Sequence, residues 1–504
     1  MDTRIADNTR KLRSLVGMVF QNPADQIVSS TVEEDVAFGL ENLNMPTAEI
    51  KQTVHDQLIQ AGLQNEAARP PHLLSGGQIQ KLALAGVLAR KPHIILFDEP
   101  TSMLDPATRE TFMDRICDLN KQGLTIVYVT HHMEEAVHAD KIVVLEQGKV
   151  IFEDSPSKIF ANQDKLREVG LEIPQAVSLA NNFRRLGWDI PENVLLVEHL
   201  IEAIPAYPGE KDLSAPSQIN HKPEGHIINA QEVQYTYLAG TPLSKKALTG
   251  VDFKATEQCV HGLAGTNGSG KSTFLQHLNG ILRPDKGSLR VGAYALEDPE
   301  TSLREVIKQV GLVFQNPETQ FFEVFVGDEI AYGAKQFKMD NLRERVRHAM
   351  SMVGLDFDAF KDRRLETLSG GEKRKVALAS TLILDQDILL FDEPTAGMDP
   401  RARDELLSLF EQLNSEGKTI IIASHRLEEL ALVTEDLSIM QNGKVIKTGS
   451  SPLVLSDIES IHKGGLLPPH TVVVADQMID RGWPIDKTRA LTPEQLLNQI
   501  EELV

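Results

Sequence analysis

The sequence predicts an α/β protein of two tandem domains, each a parallel sheet with helices on both faces. Two observations carry that expectation. The first is the alternation of short, wholly apolar runs with helical patterns. Ile94 to Phe97 and Ile388 to Phe391 each run without a polar residue into an Asp-Glu pair, and Thr125 to Val129 and Thr419 to Ala423 are β-branched runs of similar length. Strands apolar on both faces need cover on both faces, which parallel sheets receive from crossover helices. The second observation is an internal repeat.

Val16-Gly17-Met18-Val19-Phe20-Gln21-Asn22-Pro23 matches Val310-Gly311-Leu312-Val313-Phe314-Gln315-Asn316-Pro317, 294 positions later. At the same spacing, Leu74-Ser75-Gly76-Gly77-Gln78 matches Leu368-Ser369-Gly370-Gly371-Glu372. So do Phe97-Asp98-Glu99-Pro100-Thr101 with Phe391-Asp392-Glu393-Pro394-Thr395, Asp105 with Asp399, and His131 with His425. One spacing shared by five blocks marks a duplicated unit rather than chance similarity. The register then slips by one, pairing Gly148-Lys149-Val150 with Gly443-Lys444-Val445 and Gly187-Trp188 with Gly482-Trp483. The resulting division is a first domain over 1–215 with a helical extension at 155–215, and a linker at 216–225 that overlaps the Pro-, Lys-, Ser- and Gly-rich stretch Tyr207 to Pro223. A second domain covers 226–504, with its own extension at 450–504.

The halves differ at their start. Cys259 to Ala264 reads as a buried strand, Gly265-Thr266-Asn267-Gly268-Ser269-Gly270-Lys271-Ser272 follows, and Ser272 to Leu282 has helical spacing. The counterpart of Lys271 would fall before Met1, so about 70 residues of a first half are expected to be missing, taking its β subdomain and glycine-rich loop with them.

Composition narrows the function classes. The 504 residues are 41% hydrophobic and 24% charged, enough apolar material for packed cores. A net charge of -21 disfavours a duplex nucleic-acid binder, which needs clustered Lys and Arg. Cys117 and Cys259 form neither a metal-ligand spacing nor a disulfide framework, which suits a reducing cytoplasm. No apolar run approaches the ~18–20 residues of a membrane span, and Met1 to Arg10 is polar. Any membrane role is therefore expected to be peripheral, on the cytoplasmic side.

The chemistry concentrates in a few positions. The loop 265–272 fits G-x-x-x-x-G-K-[ST] between a strand and a helix, the context in which backbone N–H groups and a helix N-terminus cradle phosphates. Lys271 can reach the β- and γ-phosphates, Ser272 can hold Mg²⁺, and Thr273 opens the helix beside them. Asp392 at a strand end can complete the Mg²⁺ shell, and Glu393 is placed to polarise water as general base. A lone Asp-Glu pair reads as a solvated turn; its duplication before Pro-Thr and a further Asp does not. His425 and Gln315 lie near strand ends and can contact the γ-phosphate, the water or Mg²⁺, although a lone His is more often a core residue.

Phosphate loop, Gln after a strand, LSGG-Q/E, Asp-Glu, a later Asp and then His, in that order, resemble the ABC ATPase domain over nearly the whole chain. The resemblance implies two P-loop NTPase domains, each with a helical signature subdomain and a small C-terminal helical extension, packed head to tail with ATP between them. One site would combine the phosphate loop, Gln315, Asp392, Glu393 and His425 with Ser75, Gly76, Gly77 and Gln78. The other would combine Gln21, Asp98, Glu99 and His131 with Ser369, Gly370, Gly371 and Glu372, but without a phosphate loop. Gln-Asn-Pro-x-x-Gln (Gln21 to Gln26, Gln315 to Gln320), the following Glu34-Asp35 and Asp328-Glu329 segments, Tyr235-Thr236-Tyr237 before Gly240-Thr241-Pro242, and the Gly-Trp extensions resemble the energy-coupling-factor and cobalt-type importer ATPases. In that group Tyr237 would stack on adenine; by itself it reads equally as a strand aromatic. The extensions would help the two ATPase domains pair.

This narrower resemblance implies a transport-coupled ATP hydrolase, or translocase, that uses ATP and Mg²⁺. Its partners would be a transmembrane coupling subunit and a substrate-binding membrane subunit for a vitamin or metal ion. A fused sugar-importer ATPase and a soluble ABC protein acting on ribosomes or DNA are the alternatives. Without the loop-bearing strand, sheet edges stay unpaired. The chain expressed alone is therefore expected to be poorly soluble by sedimentation; a monomer with a sharp cooperative melt would overturn this.

Overall fold

In a computed structural model, residues 6–102, 104–209, 225–241, 244–396 and 398–503 are described; the linker at 216–224 and Pro242 lie outside them. The chain divides into two units, Met1–Pro174 and Gln175–Val504.

The first unit holds β1 (Val16–Val19), β2 (Ile94–Asp98) and β3 (Thr125–Val129), parallel in that order, and an antiparallel hairpin of β4 (Ile142–Glu146) and β5 (Lys149–Asp154). The apolar runs fall in register: Val16 lies opposite Ile94, and Ile94 opposite Thr125. Val19, Ile95 and Phe97 are buried with Leu84 and Val87 of the helix Gly76–Ala89 and with Phe112 and Ile116 of the helix Pro106–Lys121. Phe97 and Phe112 meet edge to face at 6.1 Å, a favoured aromatic geometry. A second core joins Val32–Glu41, capped by a Thr31–Glu34 box, to Thr47–Ala61 and the helix Gly76–Ala89 through Val36, Leu40, Leu58 and Leu82.

The second unit contains β6 (His226–Tyr237), β7 (Lys245–Thr256), β8 (Val260–Ala264), β9 (Lys286–Val291), β10 (Tyr294–Ala295), β11 (Val310–Val313), β12 (Ile388–Asp392), β13 (Thr419–Ser424), β14 (Asp436–Gln441) and β15 (Lys444–Ser450). The main sheet runs β11-β12-β13-β8-β14-β15, with β8 parallel to both neighbours, and a four-stranded antiparallel sheet runs β10-β9-β6-β7. Alternate residues of β12 serve different cores. Ile388 and Leu390 pack with Phe274, Leu275 and Leu278 and the antiparallel sheet; Leu389 and Phe391 pack with the helices Gly370–Leu382 and Pro400–Ser415. The helix after the phosphate loop runs Lys271–Leu278, shorter than its apolar spacing, because Gly280 turns left-handed at φ 82° just beyond the Asn279 cap.

The second unit also contains Gln175–Arg185 and Val197–Ala203, which share one core with His470–Asp480 and Pro493–Glu501. The two Gly-Trp segments of the repeat thus meet. Trp188 and Trp483 have ring centroids 4.9 Å apart, and the Trp483 indole N–H donates to the Pro205 carbonyl at 2.8 Å. Trp483 is buried, so Trp483→Ala is expected to destabilise this module by about 3–5 kcal/mol. Urea unfolding followed by the fluorescence of the remaining Trp188 checks this; an unshifted midpoint would refute it.

Candidate active site

β8 delivers the glycine-rich loop at its C-terminal end, and Lys271 starts the next helix. Two glycines there have steric reasons. A Cβ on Gly265 would lie 2.6 Å from the Met440 carbonyl oxygen, and Gly270 sits at φ 109° with Met440 and Ala247 close by. Ser269 is buried while Asn267 and Gly268 face outward. The Lys271 ammonium folds back to donate to the carbonyls of Gly265 (2.7 Å) and Thr266 (3.2 Å) and lies 3.3 Å from Glu393 Oε1. The Tyr237 hydroxyl is 3.3 Å from Thr273 Oγ1, which puts this half-buried ring beside the start of the same helix.

The acidic pair ends β12. Glu393 sits at φ 46°, a left-handed strain for a non-glycine residue, and its amide donates to the Ala423 carbonyl at 2.9 Å. Its Oε2 is 2.9 Å from His425 Nδ1. Burial pushes the Glu393 carboxyl upward, but His425 and Lys271 together outweigh it and the net direction is down. Asp392 behaves oppositely. Burial raises its carboxyl from 3.8 to about 6 with help from the Glu393 charge, while Ser272 and Lys271 pull the other way. Its Oδ1 is buried with no hydrogen-bond partner.

An orphaned carboxylate oxygen beside a serine hydroxyl is a hard, oxygen-only donor set, and it fits Mg²⁺. No group of three or more His, Cys, Asp or Glu gathers as a metal site among the described residues, and Mg²⁺ in such sites characteristically completes its shell with water and phosphate oxygens. Asp392 and Ser272 would hold it, and it would neutralise phosphate charge. Gln315 is exposed; the Arg374 guanidinium bonds its carbonyl at 2.9 Å, and no hydrogen bond joins its side chain to the two carboxylates among the described residues.

The first unit repeats part of this arrangement. Glu99, at φ 42°, accepts from Gln21 Nε2 at 2.8 Å and lies 3.0 Å from His131 Nδ1, whose hydrogen bond is the main reason its carboxyl is shifted down. Asp98 closes β2 beside it. Each signature peptide caps its own helix. Ser75 and Gln78 form a reciprocal box (2.9 and 3.4 Å), as do Ser369 and Glu372 (2.7 and 3.3 Å). A Cβ on Gly76, Gly370 or Gly371 would meet nothing within 4 Å, so no local packing demands these glycines.

Three features escaped sequence reasoning. Asp105 and Asp399 are N-caps, accepting from Thr108 and Ala402 amides at 3.0 Å, a role that the Asp-Pro pattern signals. Thr395 donates to Glu429 at 2.5 Å, and Thr101 bonds Glu135 likewise, tying each loop after the acidic pair to a helix. Arg374 binds the carbonyls of Gln315, Pro394 and Ala396, joining the loops after β11 and β12; the first half has a buried Gln80 at this position.

A phosphate loop, a buried lysine and an acidic pair at the ends of two strands of one parallel sheet, with β13 between them, define a P-loop nucleoside triphosphatase. The profile of the family described as "ABC transporter" matches residues 1–102 and 248–396. A protein of Caldanaerobacter subterraneus subsp. tengcongensis, named as an ABC transporter ATP-binding protein, is 32% identical over 93% of this chain and 82% of its own length. One from Methanosarcina mazei with the same description is 33% identical over 93% and 80%. A solved structure of cbiO1 from Clostridium perfringens, described as part of the ABC transporter complex cbiONQ, is 32% identical over 50% of this chain and 100% of its own, with a TM-score of 0.43. The chain belongs to the ABC transporter ATP-binding proteins, with two such regions in one polypeptide. The family hydrolyses ATP with Mg²⁺.

Asp392 gives a pH test. Its carboxyl is raised in the folded state, so the fold binds a proton more tightly than the unfolded chain, and stability falls as pH rises from 3.8 to about 6. Asp392→Asn is expected to raise nucleotide-free stability by up to about 3 kcal/mol above pH 6 and to change little near pH 4. Thermal melts at the two pH values check it; an equal shift at both would refute the assignment.

Proposed function

We propose that this chain is the ATP-hydrolysing subunit of an energy-coupling-factor type importer of a micronutrient, a vitamin or metal ion. It would dock at the cytoplasmic face on a transmembrane coupling subunit that works with a substrate-binding membrane subunit. The observation that carries the ATPase part is the buried cluster of Lys271, Asp392, Glu393 and His425 behind the loop 265–272. Thr266 to Thr273 would line the phosphates and Tyr237 the adenine. Gln315 would approach the metal and the water only with nucleotide present.

The residues supply their own chemistry. Glu393 is kept ionised by His425 and Lys271 and can take a proton from water as general base. His425, held by Glu393, can donate to a phosphoryl oxygen. Glu99 and His131 keep the same pairing in the first half. Ser75, Gly76, Gly77 and Gln78, with Ser369, Gly370 and Gly371, would offer helix N-terminal amides to a γ-phosphate, and the open surfaces at Gly76, Gly370 and Gly371 leave room for close approach.

The importer part is supported by the Gln-Asn-Pro-x-x-Gln loops. Gln26 and Gln320 accept from the Phe20 and Phe314 amides at 3.3 and 3.4 Å, which closes each loop on itself. Directly after them, Phe322 is 73% exposed with Val324 and Phe325, and Val28 is 63% exposed. Apolar side chains grouped on a surface mark a partner site. No helix among the described residues is long and apolar enough to cross a membrane.

Glu393→Gln should keep ATP binding but lower hydrolysis by about 10²–10⁴-fold, whereas Lys271→Ala should lose binding. Nucleotide binding and phosphate release measured on one preparation separate the two. Purification from native membranes tests the transport reading: co-purifying membrane proteins support it, and recovery with ribosomes or DNA would overturn it.

A further inference from the structure

β11 and β12 pair in parallel up to Val313 opposite Phe391, and their chains then lead into different loops. One continues through Gln315 to Gln320, the other through Asp392 and Glu393 into the turn Pro394-Thr395-Ala396. Arg374, on the helix Gly370–Leu382, spans the two. Its Nη2 donates to the Gln315 carbonyl at 2.9 Å. Its Nη1 donates to the Pro394 carbonyl at 3.0 Å and to the Ala396 carbonyl. One planar guanidinium therefore grips both loops at once, which a rigid fork of donors allows and a single ammonium does not.

Two further contacts fasten the same helix to the Gln315 loop. Lys373 Nζ bonds the Glu318 carboxylate, and Gln320 Nε2 donates to the Ala377 carbonyl at 3.2 Å. The repeat supplies the contrast. At the positions of Lys373, Arg374 and Glu318 the first half has Ile79, Gln80 and Ala24. Gln80 is buried, and its Nε2 has no hydrogen-bond partner among the described residues. There the Gln21 side chain reaches Glu99 directly at 2.8 Å, whereas Gln315 is held by its backbone. The two halves thus differ in what fixes this loop: a side-chain bond to the glutamate in one, a backbone clamp from the signature helix in the other.

We propose that Arg374 is a positioning residue for ATP hydrolysis, clamping the Gln315 loop and the turn after Glu393 to one helix so that both side chains meet the nucleotide in a fixed register. Glu393 has a left-handed backbone at φ 46°, a conformation that persists only where the surroundings hold it. Its own amide is held by the Ala423 carbonyl. Arg374 holds the first and third residues after it by their carbonyls, which closes the turn from the other side. Both terminal nitrogens of the guanidinium are engaged by backbone carbonyls, so it acts through Gln315 and Glu393 and not on the substrate. The effect on rate rests on the ATPase reading; the clamp itself does not.

The test compares the unmodified full chain with Arg374→Gln, the residue that the first half carries, and with Arg374→Lys. Both variants are expected to lower kcat for ATP by about ten- to hundredfold with KM within about twofold, the scale of a roughly 1 Å misplacement of reacting groups. Without nucleotide, hydrogen exchange of the Thr319 and Ala396 amides, which close the two loops on the Asn316 and Glu393 carbonyls, is expected to quicken together by about tenfold. Full kcat in Arg374→Lys would overturn the proposal, because charge alone would then suffice. So would a loss confined to KM, or faster exchange in only one of the two loops. If Arg374→Gln does not fold, Arg374→Lys decides alone: faster exchange in both loops with lowered kcat supports the clamp, and unchanged exchange overturns it. An unmodified chain that hydrolyses no ATP would sink the ATPase reading instead, with the paired exchange still deciding the clamp.

Discussion

The main sheet of the second unit, and the site at its end, depend on β8 lying between β13 and β14. Its backbone pairs on both sides, so one five-residue strand ties the two halves of a six-stranded sheet together. All five residues are buried, and the next turn must reach the sheet edge with no room for a side chain at Gly265. The phosphate loop is therefore a consequence of where the strand ends. The same placement puts Leu263 under the antiparallel sheet and aims the following helix across the core at Leu390 and Ile421. Fold and site are one construction, because the strand that closes the sheet also presents the chemistry.

The site is a concentration of buried charge held by reciprocal pairing. An ammonium or carboxylate removed from water is costly unless it finds a partner. Lys271 finds two carbonyls and Glu393; Glu393 finds Lys271 and His425. Asp392 is the member left short, with one oxygen unpartnered and its proton affinity raised. That deficit suits a residue meant for a cation. A fully satisfied aspartate would have to break hydrogen bonds before taking one. The left-handed backbone at Glu393 and at Glu99 belongs to the same economy of position, turning the carboxylate back toward the strand ends in both halves.

Much of this was legible in residues alone. The wholly apolar runs gave the parallel strands, with the equivalent pairs Val16–Ile94 and Val310–Ile388 in equivalent register. The loop motif located Lys271 because its glycines answer a local backbone need. What stayed hidden was pairing at long range. Periodicity shows that Trp188 and Trp483 have apolar surroundings but not that each supplies the other's. Nor does spacing disclose that Lys271 meets a glutamate 122 residues later, or that Arg374 staples two loops. These contacts are set by the sheet order, in which β8, made early in the second half, is inserted among strands made late.

The comparison of halves turns duplication into a controlled experiment within one chain. β12 and β2 read almost alike, yet the first is buried throughout and the second only at alternate residues. Sequence identity at the strand therefore does not decide burial; the neighbour does. The retained polar set argues in the same direction. Gln21 takes up Glu99 in the first half, where in the second a lysine from the phosphate loop holds Glu393. A buried carboxylate recruits whatever donor is within reach, and the donor available depends on whether a strand like β8 is present. The difference between the two acidic pairs is thus inherited from a difference in sheet completeness. Their shared geometry, strained backbone and histidine included, does not require a strand like β8 beside it.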